Sequence, residues 1–178
     1  MNRSNTRRQF LINTSLLSAA CIVGSSSIVS ANNYESPFKG YNPYADSVTD
    51  IRQSSTTTDH IKIIGKVYSC EGLEELSNVK LEIWHLSPGL RKYRHHAKLT
   101  TNKRGEYELL TDLPEKEPGK GARIFFKITN EDRSYFTELI IGSYYAHITG
   151  DHWLKNNHLG DLMQPVKNQS TIYFNLSI

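Results

Sequence analysis

A chain of 178 residues, 38% of them hydrophobic, has room for one domain of ordinary size with its own core, and little for a second. Its formal net charge is +3, but Arg3, Arg7 and Arg8 are the only charged residues among the first 31, and removing them leaves 18 basic against 18 acidic residues. A body without net charge excludes nucleic-acid binding driven by a basic surface, and a body whose one cysteine is Cys70 excludes an internal disulfide.

The amino terminus reads as an address. Thr6-Arg7-Arg8-Gln9-Phe10-Leu11 has the form of a twin-arginine export signal, followed by an apolar run from Phe10 to Gly24 and a small-residue site at Val29-Ser30-Ala31. Asn13, Thr14, Ser15 and Ser18 interrupt a run already short for a membrane span. Residues 1–31 are therefore expected to be removed on export to the periplasm or beyond, with Asn32 as the new terminus. Leu17-Ser18-Ala19-Ala20-Cys21 leaves open a lipid anchor on Cys21 instead. No transmembrane segment is expected in the mature chain.

Residues 32–58 lack periodicity, and Pro37 and Pro43 interrupt any helix, so they read as a linker wrapping the domain. Strands are expected from Ile61 to Val67 and from Val79, where Val79, Leu81 and Ile83 alternate with Lys80, Glu82 and Trp84. Ser87-Pro88-Gly89 punctuates a turn. Alternation resumes at Arg91, with Tyr93, His95, Ala97 and Leu99 on one side and Arg94, His96 and Lys98 on the other. After the turn at Asn102-Lys103-Arg104-Gly105 come strands at Glu106–Thr111, Ala122–Thr129, Tyr135–Ile141 and Thr171–Ile178, with one short helical turn near Asp151–Asn157. Residues 59–178 are thus expected to form an antiparallel β-sandwich with little helix.

The segments G-K-V-Y-S-C-E-G, N-V-K-L-E-I-W-H, K-Y-R-H, T-N-K-R-G-E-Y-E-L-L-T and G-A-R-I-F-F-K-I, in that order, resemble the intradiol ring-cleavage dioxygenases from about Ile61 to Ile128. Looser echoes are Glu35-Ser36-Pro37-Phe38 before them and Phe136-Thr137-Glu138-Leu139 after them. The resemblance implies a Greek-key, prealbumin-like sandwich. It also implies a ferric ion held by two tyrosines and two histidines, which opens catechol-type rings with O2. Two phenolates suit a hard trivalent ion, and neutral imidazoles leave it room for substrate. On this resemblance Tyr93 matches one tyrosine. The second falls between Leu110 and Gly121, where no tyrosine stands, and the His-x-His pair falls on Arg123 and Phe125. Lys120 takes the place of a substrate-assisting arginine and Glu138 that of a glutamine, which makes these two the catalytic-equivalent positions.

Two functions follow from the resemblance. In the first, a scaffold without its iron(III) binds an anionic aromatic or another small molecule through Tyr93, Lys120 and Arg123. The alternative is an active non-haem iron dioxygenase with a changed ligand set, in which Tyr93 and His95 are metal ligands and His147 and His152 are further candidates. Adjacent residues on a strand point to opposite faces, so His95 and His96 cannot share one site. Cys70 reads as a free thiol, and Trp84 either packs under a loop or marks an aromatic patch.

Overall fold

The computed structural model describes residues 36–53, 59–71 and 73–178. Among these, ten strands follow in chain order: β1 (His60–Tyr68), β2 (Lys80–His85), β3 (His95–Thr100), β4 (Glu106–Asp112), β5 (Ala122–Asn130), β6 (Arg133–Ile141), β7 (Ala146–Ile148), β8 (Val166–Asn168), β9 (Thr171–Tyr173) and β10 (Leu176–Ser177). A short helix α1 (Gly150–Asn156) runs into a 3-10 helix over Asn157–Met163 between β7 and β8. No helix among the described residues is long and apolar enough to cross a membrane.

One sheet is antiparallel throughout, in the order β3-β2-β5-β6-β7. The other is built around β1, which pairs antiparallel with β4 on one side and parallel with β9 and then β10 on the other, β8 completing the edge beyond β9. Period-two patterning dictates what lies between them. Ile63 and Leu109 from one sheet meet Ile83, Phe126 and Leu139 from the other, all essentially without solvent contact. This is the sandwich expected from sequence, with parallel pairings at β1 added to the antiparallel plan.

The strands run as expected over most of their length, with two differences. The expected single strand at Thr171–Ile178 is broken at Phe174-Asn175. There the Phe174 amide donates to the Ile64 carbonyl at 2.8 Å, and the Asn175 side-chain oxygen takes the Lys66 amide at 2.9 Å, so a side chain substitutes for the ladder. Gly65 permits this approach, since a Cβ there would run into the Phe174 carbonyl. The second difference is that β3 starts at His95 rather than Arg91. Residues 87–94 satisfy their polar groups locally, through Ser87 N–H to the Lys92 carbonyl at 2.8 Å and Arg94 N–H to Ser87 Oγ at 3.0 Å.

The outer face of the antiparallel sheet carries Glu82, Trp84, Phe125, Lys127, Phe136 and Glu138. Residues 36–53 lie across it as a strap. Trp84 Nε1 donates to the Lys39 carbonyl at 2.9 Å, the His96 ring meets the Gly40 carbonyl at 2.8 Å, and Lys98 Nζ donates to the Pro43 carbonyl at 2.6 Å. The Tyr41 ring stands 5.1 Å from that of Trp84 and 5.9 Å from that of Phe136. Trp84 therefore packs under a loop, and its 1% exposure follows from the strap. Further along, the Ile51 amide donates to the Leu110 carbonyl at 2.9 Å and the Leu110 amide to the Thr49 carbonyl at 2.8 Å, which fastens the strap to β4.

Candidate functional site

A cavity of about 410 Å³ opens where the strap, the loop after β4 and the outer face of β5 and β6 meet. Its floor is Phe125, whose alternation with Ile124 and Phe126 turns it away from the core. Phe38 of the strap stacks on that ring with centroids 4.7 Å apart, and Tyr93 stands 6.3 Å from it. Gly40 allows Tyr93 its place: the backbone there has φ +82°, and a Cβ would overlap the Tyr93 ring.

Four charged side chains complete the wall in two pairs. Arg123 Nη1 lies 2.6 Å from both carboxylate oxygens of Glu138, a diagonal neighbour on β6, where Glu138 stands opposite Phe125 and Arg123 opposite Ile140. Glu138 is 5% exposed, so this pair is largely withdrawn from water. Arg123 Nε is buried and makes no hydrogen bond among the described residues. Lys120 Nζ donates to Glu117 Oε2 at 2.9 Å, while the Tyr93 hydroxyl donates to Glu117 Oε1 at 3.1 Å. Lys120, first of these, and then Tyr93 hold the Glu117 carboxyl below its ordinary range. Burial, followed by the Glu117 contact, pushes the Tyr93 phenol up to about 12.

The structure thus brings Tyr93, Lys120, Arg123 and Glu138 to one cavity, and it adds Phe38, Lys39 and Glu117, which sequence reasoning does not single out. The echo at Ser36-Pro37-Phe38 is the available signal for the first two. Nothing in the sequence marks Glu117, because its role depends on the fold of an irregular loop.

His95 keeps the buried side with Ala97 and Leu99, and it is Tyr93 that leaves it, which corrects the expectation that the two share a side. Because β3 begins only at His95, strand alternation does not carry back to Tyr93, and the two side chains go to opposite faces of the sheet. The His95 ring is buried between the sheets, bonded to Ser87 Oγ at 2.8 Å through Nδ1 and to Asp112 Oδ2 at 2.8 Å through Nε2. It stacks on His85 at 4.4 Å, and Asp112 also meets His60 at 2.9 Å. The other two histidine candidates do not join it. His147 stands beside Tyr145 on the exposed edge strand β7, whereas His152 is buried against Thr137 Oγ1 at 2.6 Å. Among the described residues, no group of three or more His, Cys, Asp or Glu side chains converges as a metal site.

No protein-family model and no curated protein matches the chain. Solved structures do. The dioxygenase domain of a dioxygenase–carbohydrate-binding protein fusion from the cellulolytic bacterium Streptomyces sp. SirexAA-E superposes with a TM-score of 0.59 at 18% identity, over 81% of this chain and 94% of that one. The 3-chlorocatechol 1,2-dioxygenase of Rhodococcus opacus 1CP gives 0.55 at 16% identity, over 77% and 67%. The hydroxyquinol 1,2-dioxygenase of Pseudomonas putida DLL-E4 gives 0.55 at 11% identity, over 79% and 63%. The fold is that of the intradiol ring-cleavage dioxygenases. Within the intradiol fold, this chain spans nearly all of the fusion's dioxygenase domain but only about two thirds of the two longer enzymes. At identities this low the likeness concerns the scaffold alone, and the chemistry of the cavity is set by its own residues.

Proposed function

We propose that this protein is an exported binding module on the intradiol dioxygenase scaffold, taking an acidic aromatic molecule into the cavity between Phe38, Phe125 and Tyr93. The observation that carries this reading is a cavity that sets the stacked rings of Phe38 and Phe125 beside three cations, Lys39, Lys120 and Arg123, of which Lys39 makes no ion pair among the described residues. Aromatic rings beside placed charged groups can both stack on a small molecule and fix its orientation. The names of the similar structures, catechol and hydroxyquinol dioxygenases, are in keeping with an aromatic ligand.

The donor set does not fit the iron(III) that the fold family implies. A ferric tyrosinate needs a phenolate, whereas Tyr93 keeps its proton and donates it to Glu117. The other oxygen donors at the cavity, Glu117 and Glu138, are each held by a cation. Guanidinium is a donor only and cannot ligate a metal, and a cation about 4 Å from a trivalent ion repels it by roughly 3 kcal/mol even at the dielectric of water. The charges at this cavity therefore suit an organic ligand better than a ferric ion.

The export signal and the lipid anchor on Cys21 lie outside the described residues and belong to the same proposal. Protein recovered from the cell envelope of its own host tests both parts. It is expected to begin at Asn32 or at a lipidated Cys21 by mass spectrometry, to be colourless, and to consume no oxygen with catechol or protocatechuate. Stoichiometric iron with a visible tyrosinate charge-transfer band that is lost in Tyr93→Phe would overturn the binding reading in favour of the alternative, a dioxygenase with a changed ligand set.

A further inference from the structure

The cavity does not end at Tyr93. A second opening of about 470 Å³ adjoins it between the turn after β2 and the loop after β4, and shares Lys39, Tyr93, Glu117 and Pro118 with the first. The two lobes differ in chemistry. In the first, Lys120 and Arg123 are each neutralised by a carboxylate, so neither is available as a free cation. In the second, Arg91 and Lys116, together with Lys39 that both lobes share, make no ion pair among the described residues, and Glu115, which accepts the Gly89 backbone amide at 2.9 Å, brings one negative charge. Arg91 reaches this position from a backbone with φ +49°, a left-handed conformation unusual for a residue other than glycine. Three cations against the one carboxylate of Glu115, with Glu117 already held by Lys120, therefore leave an excess of positive charge in a lobe that shares Tyr93 with the aromatic one.

The geometry points to a two-part ligand: an aromatic ring seated against the edge of the Phe38–Phe125 stack, joined through a spacer that passes Tyr93 to a carboxylate or similar anion held by Arg91 and Lys116. This rests on the binding reading above and refines it, since it removes the anion from Arg123 and Lys120 and specifies an arylalkanoate rather than a ring carrying its acid directly.

Calorimetric titration of the purified chain with benzoate, 4-phenylbutyrate and neutral 4-phenylbutanol tests it. Phenylbutyrate is expected to bind at least about fivefold tighter than either of the other two. Arg91→Gln and Lys116→Gln are each expected to weaken phenylbutyrate by about two- to fivefold and to reduce its salt dependence, as befits exposed charge pairs, with benzoate unchanged. Equal binding of benzoate and phenylbutyrate, or equal loss of both in the two variants, would overturn the two-part ligand and leave the aromatic slot standing. Tight phenylbutanol binding would overturn the anion subsite in the same way. Absence of binding by all three would overturn the slot and the two-part ligand together.

Discussion

Among the described residues Glu138 meets one cation, Arg123, through a single nitrogen shared by both carboxylate oxygens. Removing one member of a withdrawn pair costs far more than replacing both, because the survivor keeps its desolvation penalty without compensation. Arg123→Met is therefore expected to destabilise the protein by about 2 to 3 kcal/mol, a value below the fully buried case because the arginine is partly exposed. Arg123→Met combined with Glu138→Leu should recover most of that loss in urea denaturation. The interior histidines set a different dependence. His85 is held by the Leu86 carbonyl and the Thr111 hydroxyl and stacked on His95, and burial pushes its pKa down to about 3. Burial, opposed by the Asp112 contact, lowers His95 as well. The His85 ring stays neutral in the folded state while the unfolded chain takes up protons near pH 6.5, so the unfolded state binds more protons on acidification, and the lowered His95 acts in the same direction. Stability should be level above about pH 7 and fall by about 2 to 3 kcal/mol for His85 alone between pH 6.5 and 4.5. Denaturation midpoints at several pH values check this, and the slope should be shallower in His85→Gln.

Among the elements, what can be read in advance divides by how locally each is determined. The central strands β2, β5 and β6 are legible because period-two alternation is a local property, and the opposite facings of Ile124 and Phe125 follow from it directly. The breaks are set by partners distant in sequence. Phe174-Asn175 leaves the ladder because Gly65, more than a hundred residues earlier, lets a carbonyl approach and because Asn175 serves the Lys66 amide. Three-residue strands such as β7 and β8 carry too few alternations to register, and exist because a neighbouring strand offers an edge. The candidate site is legible in the same uneven way. Resemblance marks Tyr93, Lys120, Arg123 and Glu138, but their pairing into Tyr93–Glu117–Lys120 and Arg123–Glu138 needs the strap and a loop to be in place. Tyr93 leaves the side it was expected to share with His95, Ala97 and Leu99 because alternation does not extend through residues 87–94, whose turn interrupts it.

At the scale of the whole molecule, the strap and the carboxy-terminal strands both pack on the sandwich, but only the second closes it. Residues 36–53 cover the outer face and shape the cavity, contributing little to the core apart from Ile51. The carboxy-terminal strands reach inside. β9 and β10 fill the open side of β1, and Ile172, Phe174, Leu176 and Ile178 project into the main core at 9% exposure or less. Fully burying side chains of this size contributes about 1.5 to 3 kcal/mol each, or about 6 to 12 kcal/mol together. That matches the entire net stability of an ordinary domain, about 5 to 15 kcal/mol. Their loss would also leave β1 with an unpaired row of backbone groups at the centre of its sheet. Deletion of residues 171–178 is therefore expected to abolish the cooperative thermal transition. Deletion of residues 36–47 should preserve both that transition and a β-type far-ultraviolet spectrum while removing the Phe38 wall of the cavity. A carboxy-terminal truncation that still melted cooperatively would mean that the antiparallel sheet and β1–β4 suffice for the fold, and that β9 and β10 are attached to a core already complete.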